Sequence, residues 1–388
     1  MEKKRIGVVT ATRAEYGLLK NVMREINKDE ELELVLFVTG THLSRDYGYT
    51  VDEIINDGFV INEKIDILMK DDSPSGICKT MGMASILFGE AFSRNRVDIL
   101  VVLGDRYELL PICQTAMCFR IPIAHISGGE TTEGVIDEAV RHCVTKMSYL
   151  HFPSCEEYRK RVIQLGEYPD RVFNFGDVGV ENSLTTKLYS KKELEDNMKI
   201  SLESGYFSVT FHPVTLENES AEEQICELLD ALVYFDQYKF IITKSNADVG
   251  NQIINKKIDE YVEKYDNLYA FESLGNIRYL SLVKFSCGVI GNSSSGIIEA
   301  PVFGVPTVNI GDRQRGRLKA SSIIDCAPQK NEIISAIMLA TSDKFLAEKC
   351  DGTSPYDKGK TAKQIVHIIK DNLFANKIDL KKTFYDLP

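Results

Sequence analysis

The sequence predicts an α/β protein with two Rossmann-like, doubly wound domains that face each other across a cleft. Short β-branched segments alternate with helical segments along the chain, a pattern typical of βαβ units and of a parallel sheet wrapped by helices. The alternation occurs twice, before and after a polar stretch at Ser190–Glu203. A chain of 388 residues, 44% of them hydrophobic, is long and apolar enough to form two cores.

The first series is expected to form an N-terminal domain of residues 1–185. Its strands are predicted at Ile6–Thr10, Leu34–Val38, Ile99–Leu103, Ile121–Ala124 and Val172–Phe175. Its helices are predicted at Leu18–Ile26, Ala84–Phe92, Leu109–Phe119 and Glu138–Met147. Ligands of doubly wound sheets bind at the carboxyl ends of the strands, so the loops that follow these strands are the candidate sites.

The second series is expected to form a C-terminal domain of residues 186–365, with the remaining residues 366–388 packing back on the N-terminal domain. Its strands are predicted at Tyr206–Phe211, Phe240–Thr243, Leu268–Phe271, Gly288–Ile290 and Thr307–Ile310. Its helices are predicted at Ala221–Phe235, Val249–Tyr265 and Ile277–Phe285. A last helix is predicted at Ala362–Phe374, followed by an extended strap at Lys381–Pro388.

Composition and charge exclude several classes of protein. The net charge of -11 and the pI near 5.2 argue against general affinity for nucleic acid or anionic lipid. No segment approaches the run of about 18 apolar residues that a membrane-spanning helix needs. The charged N-terminus lacks the apolar stretch of a signal peptide, so the protein is predicted to be cytoplasmic. Nine cysteines without a Cys-x-x-Cys pair predict reduced, mostly buried thiols rather than a zinc site or disulfides.

A loop of small residues, Gly291-Asn292-Ser293-Ser294-Ser295-Gly296, connects a predicted strand to a helical segment. The first amides of a helix have no partner within the helix and carry the positive end of its dipole, which suits a phosphate. The serines can equally well cap the helix, with Glu299 favourable in its first turn. From the loop alone, the two interpretations are equally supported.

Charged residues follow two strands of the predicted N-terminal sheet. Arg13 lies after the first strand at the start of a helix, where a guanidinium can hold a phosphate or a carboxylate. Asp105 follows the strand Ile99–Leu103, where burial can raise the pKa of its carboxyl and make it an acid or base. The simpler alternatives are a surface arginine and an aspartate that caps the next helix.

A third loop and the helix after it add Glu130, Asp137 and Arg141. Asp137 and Arg141 are four residues apart and can share a helix face, where an exposed ion pair contributes under about 1 kcal/mol. However, three acidic residues, Asp105, Glu130 and Asp137, lie on successive loops of one sheet edge. This grouping favours an acid–base site over an isolated surface ion pair.

In the second series, His212 ends the first strand and precedes a proline that fixes the turn. We expect its imidazole to point into the cleft, although a lone histidine is more often structural. Arg313, Arg315 and Arg317 follow the last predicted strand and supply the local positive charge that an anionic ligand needs in an acidic protein.

Taken in order, these motifs resemble those of the hydrolysing UDP-N-acetylglucosamine 2-epimerases of bacterial sialic acid synthesis. The resemblance covers nearly the whole chain, and the order and spacing of the motifs are more specific than any one of them. The matching segments are Thr12–Gly17, Gly104–Arg106, His125–Glu130, Asp137–His142, His212–Pro213, Gly291–Ser294 and Gly311–Arg317. A sister group acts on UDP-N,N'-diacetylbacillosamine in legionaminic acid synthesis.

The resemblance implies a glycosyltransferase-B-like fold in which the C-terminal domain holds most of the UDP. It implies elimination of UDP across C1 and C2 to give a glycal, followed by hydration to free N-acetylmannosamine. Elimination needs a base at C2 and a stabilised leaving group, and hydration needs a proton for C2 and an activated water. This redox-neutral chemistry implies no cofactor and no metal. The implied partners are the UDP-sugar and further copies of the chain, as a dimer or tetramer.

Residue roles carry over by motif position. Asp105 and Asp137 would be the two acid–base carboxylates, without the sequence deciding which of them takes the C2 proton, and His212 would stabilise the departing diphosphate. The remaining implied roles are Arg13, Ser293, Ser294 and Arg313 for the phosphates, Glu299 for the ribose and Phe271 for the uracil.

The chain departs from the family pattern at Ser127, where many relatives carry a glutamate that is counted among the catalytic acids. A serine hydroxyl cannot exchange protons near neutral pH. Either Glu130 takes that role as a third catalytic carboxylate, or the site works with two. Ser127 could instead contact the group at C4 of a modified sugar.

Three other functions fit parts of the pattern. A non-hydrolysing epimerase would return the UDP-sugar with C2 inverted. A glycosyltransferase on the same fold would release UDP only when an acceptor is present, and the acidic cluster argues against it. A sugar-nucleotide sensor would bind UDP without turnover, although several carboxylates would weaken its affinity for an anion.

Overall fold

The computed structural model describes residues 2–69, 73–132, 136–212, 221–244 and 251–387. The chain divides into two compact units. The first holds Met1–Asn182 together with Lys358–Pro388, and the second holds Ser183–Asp357.

The first unit contains a parallel sheet with the strand order β3-β2-β1-β4-β5-β6. Its strands are β1 Lys4–Thr10, β2 Leu32–Thr39, β3 Glu63–Ile65, β4 Ile99–Leu103, β5 Ile123–Ile126 and β6 Leu150–Phe152. The helices that accompany them are α1 Arg13–Lys28, α2 Val51–Asn56, α3 Pro74–Arg94, α4 Leu109–Cys118, α5 Ile136–Met147, α6 Glu156–Gln164 and α7 Val178–Thr185, the last of which ends in the second unit. Helices pack on both faces of the sheet, as its two separate hydrophobic clusters require.

Helix α1 shows how the sequence builds this unit. Thr12 caps the helix by accepting a hydrogen bond from the backbone N–H of Glu15, and the Glu15 carboxylate accepts one in return from the Thr12 N–H. Leu19, Val22 and Ile26 recur at helical spacing and are fully buried against the sheet. Burying each of these side chains stabilises the fold by about 1.5–3 kcal/mol.

The second unit contains another parallel sheet, with the strand order β12-β11-β10-β7-β8-β9. Its strands are β7 Tyr206–Thr210, β8 Lys239–Thr243, β9 Leu268–Phe271, β10 Gly288–Gly291, β11 Thr307–Ile310 and β12 Ile323–Cys326. Its helices are α8 Lys191–Met198, α9 Ala221–Leu232, α10 Asn251–Val262, α11 Gly275–Phe285, α12 Ser294–Ile298, α13 Lys330–Ala340 and α14 Asp343–Lys349.

The end of the chain belongs to the first unit. Helix α15, Thr361–Phe374, buries Ile365 and Ile369 in the hydrophobic cluster that also contains Leu19 of α1. Further along, the Lys382 ammonium lies 2.7 Å from the fully buried Glu167 carboxylate, so the tail is anchored by charge as well as by apolar contact.

The predicted fold class is confirmed, since both halves form parallel sheets wrapped by helices. The predicted strand Val172–Phe175 is wrong: only Val172 forms a bridge, to His151, and the segment is otherwise irregular. Phe173 and Phe175 stack on Phe152, so their apolar pattern reflects core packing rather than pairing in a sheet.

Two further interpretations differ from the structure, and two others fall partly outside the described residues. The polar stretch Ser190–Glu203 contains α8, whose Leu194 and Met198 are buried, so it is not merely a spacer. The cysteines are free but not mostly buried, because only Cys113 and Cys155 are buried and three others are exposed. Val249 and Gly250, at the start of a predicted helix, lie outside the described residues, as does Pro213 of the predicted turn.

Candidate active site

The carboxyl ends of β1, β4 and β5 lie side by side at one edge of the first sheet, because Val8 pairs with Val101 and Val101 pairs with Ala124. Strands β2 and β3 are added on one side of β1, whereas β4, β5 and β6 are added on the other, so the direction of addition reverses between β1 and β4. In doubly wound folds the loops diverge at such a point and leave a crevice for a ligand. Asp105, Glu130 and the helix that carries Asp137 all follow strands that end at this edge.

Arg141 is the centre of a charged cluster, although only 2% of its surface is exposed. Its guanidinium forms an ion pair with Asp105 and another, at 2.9 Å, with Glu138. It also donates to the Thr132 hydroxyl at 2.8 Å and to the Glu130 carbonyl oxygen at 3.0 Å. One buried cation therefore holds the Asp105 carboxylate in place and ties together the loops that follow β4 and β5.

Asp137 lies in the first turn of α5 and makes no hydrogen bond or ion pair within the described part of the chain. An exposed ion pair between Asp137 and Arg141, the simpler alternative to an acid–base site, is therefore not formed in the described part of the chain. Burial, together with the negative charge of nearby Asp105, raises the pKa of the Asp137 carboxyl. One carboxylate is paired with a cation while its neighbour is biased towards protonation, and such a pair is suited to acting as base and acid.

Glu130 is buried, with 8% of its surface exposed, and its carboxylate accepts a hydrogen bond from the Ser154 hydroxyl at 3.2 Å. Ser127 has a left-handed backbone with φ +63°, which is unfavourable for a residue with a side chain. Its N–H donates to the Phe152 carbonyl oxygen at 3.0 Å and helps to hold that conformation. Ser127 and Glu130 are thus both held by contacts with β6 or with Ser154, which follows it.

His125 anchors the same loops from inside the sheet. Its Nε2 lies 2.8 Å from the Gly104 carbonyl oxygen and its Nδ1 lies 3.1 Å from the Thr145 hydroxyl. Burial lowers the pKa of the imidazole to about 3, so the ring is neutral and Nε2 can donate to Gly104. This bond fixes the backbone immediately before Asp105.

Three charged residues of this edge received no role in the sequence analysis. Arg106 donates to both oxygens of the fully buried Glu108, at 2.8 and 3.2 Å. Burial raises the pKa of the Glu15 carboxyl to about 7, although nearby Arg106 and two backbone N–H donors oppose the shift. What distinguishes these residues is that they are charged yet buried. The sequence shows the charge, but only the packing shows which charged positions are buried.

Arg13 occupies the first turn of α1, as predicted, but its side chain is 43% exposed. Its Nε lies 3.5 Å from a carboxylate oxygen of Glu53 in α2. Its ion pair is thus with α2 rather than with the buried carboxylates.

In the second unit, the ends of β7 and β10 approach each other very closely. Gly291 has φ +132°, and a Cβ atom on it would lie 1.9 Å from the Thr210 carbonyl oxygen, so only glycine fits. The following residue, Asn292, is 1% exposed and hydrogen-bonds through its side chain to both the N–H and the C=O of His212. Its carbonyl oxygen accepts a hydrogen bond from Arg313 at 3.0 Å. His212 and Arg313, predicted from distant motifs, are therefore joined through one asparagine.

Ser293 is the N-cap of α12, and its hydroxyl accepts a hydrogen bond from the Ser295 N–H at 3.4 Å. Ser294 is the first residue of the helix, which has only five residues. The expectation that Glu299 lies in the first turn is wrong, because Glu299 is the C-cap. Burial raises the pKa of the Glu299 carboxyl.

Phe271 is the last residue of β9, the edge strand, which is two strands away from β7. Its side chain is partly buried and packs with the apolar cluster that contains Ile241 and Leu274. It is therefore separated in the sheet from the loop that carries Ser293 and Ser294.

In the described ranges, no group of three or more histidine, cysteine, aspartate or glutamate side chains is arranged to hold a metal ion. None of the described helices combines the length and the apolar character needed to cross a membrane.

Two parallel doubly wound sheets, one with a carboxylate cluster and one with a serine-rich loop at its strand ends, define an α/β protein with a glycosyltransferase-B-like fold. A family model described as UDP-N-acetylglucosamine 2-epimerase matches residues 24–370. The chain belongs to this family of UDP-sugar 2-epimerases.

Individual relatives match over essentially their full length. The chain is 43% identical over 386 residues to the polysialic acid biosynthesis protein P7 of Escherichia coli, covering 99% of this chain and 98% of that protein. It is 40% identical over 388 residues to the hydrolysing GDP/UDP-N,N'-diacetylbacillosamine 2-epimerase of Campylobacter jejuni, covering all of both. The UDP-GlcNAc 2-epimerase of Neisseria meningitidis, solved with UDP-GlcNAc bound, shares the fold with a TM-score of 0.83 at 18% identity, covering 95% of this chain and 100% of that one.

Proposed function

We propose that the protein is a hydrolysing UDP-sugar 2-epimerase that converts UDP-N-acetylglucosamine into N-acetylmannosamine and UDP. The observation that carries the proposal is the pair of differently held carboxyl groups, Asp105 and Asp137, in a member of this family. The same reaction on UDP-N,N'-diacetylbacillosamine is the second candidate, favoured by the full-length likeness to the Campylobacter jejuni enzyme.

In the elimination step, we assign Asp105 as the base. Its ion pair with Arg141 orients the carboxyl group, whose oxygens can accept the proton from C2 of the sugar. The electron pair of the C2–H bond forms the C1=C2 double bond of the glycal. The C1–O bond breaks, and its electron pair leaves with the diphosphate of UDP.

In the hydration step, we assign Asp137 as the acid. Burial raises the pKa of this carboxyl above its usual value, and we assign it to give a proton to C2 on the opposite face of the ring. Water adds to C1 and loses a proton to Asp137, which restores the acid. Asp105 then releases the proton that it took from C2 to the solvent, so the net reaction consumes one water.

The departing diphosphate needs stabilisation, because charge accumulates on its oxygens as the C1–O bond breaks. We assign this task to His212 and Arg313, which Asn292 joins. The further proposed ligands are Arg13, Ser293 and Ser294 for the phosphates, Glu299 for the ribose and Phe271 for the uracil.

Two carboxylates are enough for this scheme. Glu130 remains the proposed third catalytic carboxylate, and the hydrogen bond from the Ser154 hydroxyl helps to hold it in place. We also propose that the enzyme is a homo-oligomer that works in the cytoplasm, where its nine free thiols stay reduced. Light scattering and cell fractionation test these two points.

The decisive experiment offers each UDP-sugar separately to the protein in deuterated water and follows the products by NMR. The proposal expects free UDP and a free 2-epimerised sugar that carries deuterium at C2, without an acceptor. The sugar that is consumed faster identifies the substrate. A UDP-sugar with inverted C2 and no free sugar would indicate a non-hydrolysing epimerase, and UDP release that requires an acceptor would indicate a glycosyltransferase.

A further inference from the structure

We propose that Asn292 is a positioning residue that sets the orientation of His212 and Arg313 relative to each other. The inference rests on the proposed function to the extent that these two residues are assigned to the diphosphate leaving group. Asn292 itself is not proposed to touch the substrate.

Asn292 lies where a ligand crevice is expected in the second sheet. Strands β8 and β9 are added on one side of β7, whereas β10, β11 and β12 are added on the other. The direction therefore reverses between the neighbouring strands β7 and β10, the kind of position at which doubly wound folds bind a ligand. His212 is on the first of these loops and Asn292 is on the second.

The side chain of Asn292 forms two hydrogen bonds with the backbone of His212. Its Oδ1 accepts a hydrogen bond from the His212 N–H at 2.7 Å, and its Nδ2 donates to the His212 carbonyl oxygen at 2.8 Å. These groups flank the Cα atom of His212, so both bonds together fix the direction in which its side chain leaves the backbone. Asn292 is 1% exposed, and both polar atoms of its side chain are hydrogen-bonded to His212. This arrangement argues against direct contact between Asn292 and a substrate.

The backbone of Asn292 extends the same arrangement. Its N–H donates to the Thr210 carbonyl oxygen at 3.2 Å and keeps the two loops together. Its carbonyl oxygen accepts from Arg313 at 3.0 Å and from the buried Gln314 side chain at 2.8 Å. The guanidinium of Arg313 has five N–H donors in a rigid plane, so one fixed bond restricts the direction of the others.

Loss of the Asn292 side chain would leave two polar groups of the His212 backbone without their partners, and the loop would shift to satisfy them. A displacement of about 1 Å at a catalytic group can reduce the rate by about 100-fold. Substrate affinity depends on many other contacts, so kcat should fall much more than KM rises. A purely structural asparagine would lower stability without this selective effect.

The experiment compares Asn292→Ala and Asn292→Asp with Asn309→Ala. The aspartate variant keeps an acceptor for the His212 N–H but places a second oxygen against the His212 carbonyl. Asn309 on β11 is the matched control, since it is also 1% exposed and its Nδ2 donates to Asp325 at 2.7 Å. Thermal unfolding first establishes that each variant is folded.

The first readout needs no substrate. The protein contains six histidines, and ¹³C-labelled histidine gives one ring signal for each, of which the His212 signal is the one that His212→Gln removes. We expect both Asn292 variants to move the His212 signal and its titration midpoint, whereas Asn309→Ala leaves them in place. An unmoved His212 signal in both variants overturns the proposal.

The second readout is the steady-state release of UDP from the sugar that the wild-type enzyme consumes. We expect kcat of Asn292→Ala to fall by about 100-fold, with KM within a factor of about 3. A His212 signal that moves while kcat stays at the wild-type value also overturns the proposal. If the wild type releases no UDP from either sugar, the proposed function fails, and the NMR arm still decides whether Asn292 orients His212.

Discussion

Arg141→Met tests the charged cluster that is centred on Arg141. Methionine has a similar length and can be buried, but it carries no charge and no donor. The substitution removes the cation that Asp105 and Glu138 share. It also removes the N–H groups that donate to the Thr132 hydroxyl and to the Glu130 carbonyl oxygen. The Asp105 and Glu138 carboxylates then lose the cation that both of them contact.

The size of the effect follows from the burial of Arg141, which is 2% exposed. Breaking a buried ion pair by removing one partner costs about 3–5 kcal/mol. In a unit of about 200 residues, each kcal/mol lowers the midpoint of thermal unfolding by about 2–4 °C, so we expect a decrease of roughly 6–20 °C. Turnover should fall by at least about 100-fold, because Asp105 loses the contact that orients it.

The loss of stability should depend on pH in a defined direction. Although burial opposes it, contacts that include Arg141 lower the pKa of the Glu138 carboxyl below its usual value, and a lowered pKa contributes stability above the unfolded pKa near 4.5. This contribution is lost as the pH falls. The difference between Arg141→Met and the wild type should therefore be larger at pH 7 than at pH 4.

The assay is thermal unfolding by circular dichroism at both pH values, together with release of UDP. Arg159→Met is the control, because Arg159 on α6 donates to the carbonyl oxygens of Val172 and Pro169 but has no contact with the acidic cluster. We expect the control to shift the midpoint by only a few degrees and to keep wild-type turnover. The reasoning is refuted if Arg141→Met unfolds within 2 °C of the control or releases UDP at the wild-type rate.

Three more substitutions test separate parts of the structure. Asp137→Asn should reduce turnover by about 10²–10⁴-fold. Because the pKa of the Asp137 carboxyl is raised, its ionisation destabilises the folded wild type as the pH rises. The thermal midpoint of Asp137→Asn relative to wild type should therefore increase from pH 4 to pH 8, and a decrease would contradict the assignment. Gly291→Ala places a Cβ atom 1.9 Å from a backbone oxygen of β7 and should cost about 3 kcal/mol or more in urea unfolding, whereas Gly17→Ala, whose Cβ meets nothing within 4 Å, should not destabilise. Lys382→Met removes one of the partners that hold the pKa of the buried Glu167 carboxyl at about 2, so it should destabilise by about 1–3 kcal/mol at pH 7, with a smaller loss below pH 4 and unchanged turnover.

The sequence predicted the alternation of strands and helices well, because that pattern is local. The strands at Ile99–Leu103 and Thr307–Ile310 have the predicted bounds. The strands β3 and β6 were missed, since three residues are too few to show a period. The edge strand β12 was also missed, and its residues are partly buried or exposed. The apolar residues of Val172–Phe175 were assigned to a strand because stacking aromatic residues give the same pattern as a buried strand.

The sequence also indicated which loops carry charged residues, because a position directly after a strand of a parallel sheet must lie at its carboxyl edge. It did not indicate which charges pair. Arg141 shares a helix with Asp137, yet its buried contact is with Asp105, 36 residues earlier in the chain. Spacing along a helix indicates which residues of the same helix can form an ion pair. The packing of loops decides whether a residue that is distant in the sequence forms the pair instead.

By itself, therefore, the sequence determined the fold class, the family and the motif positions, all of which depend on the order of residues along the chain. Only the tertiary structure decided the environment of each group. It gave Asp105 a buried cation and left Asp137 without one, and it turned Asn292 from a loop residue into the link between His212 and Arg313. The physical reason is that burial and electrostatic interaction depend on distance through space, which folding sets between residues that are far apart in the sequence.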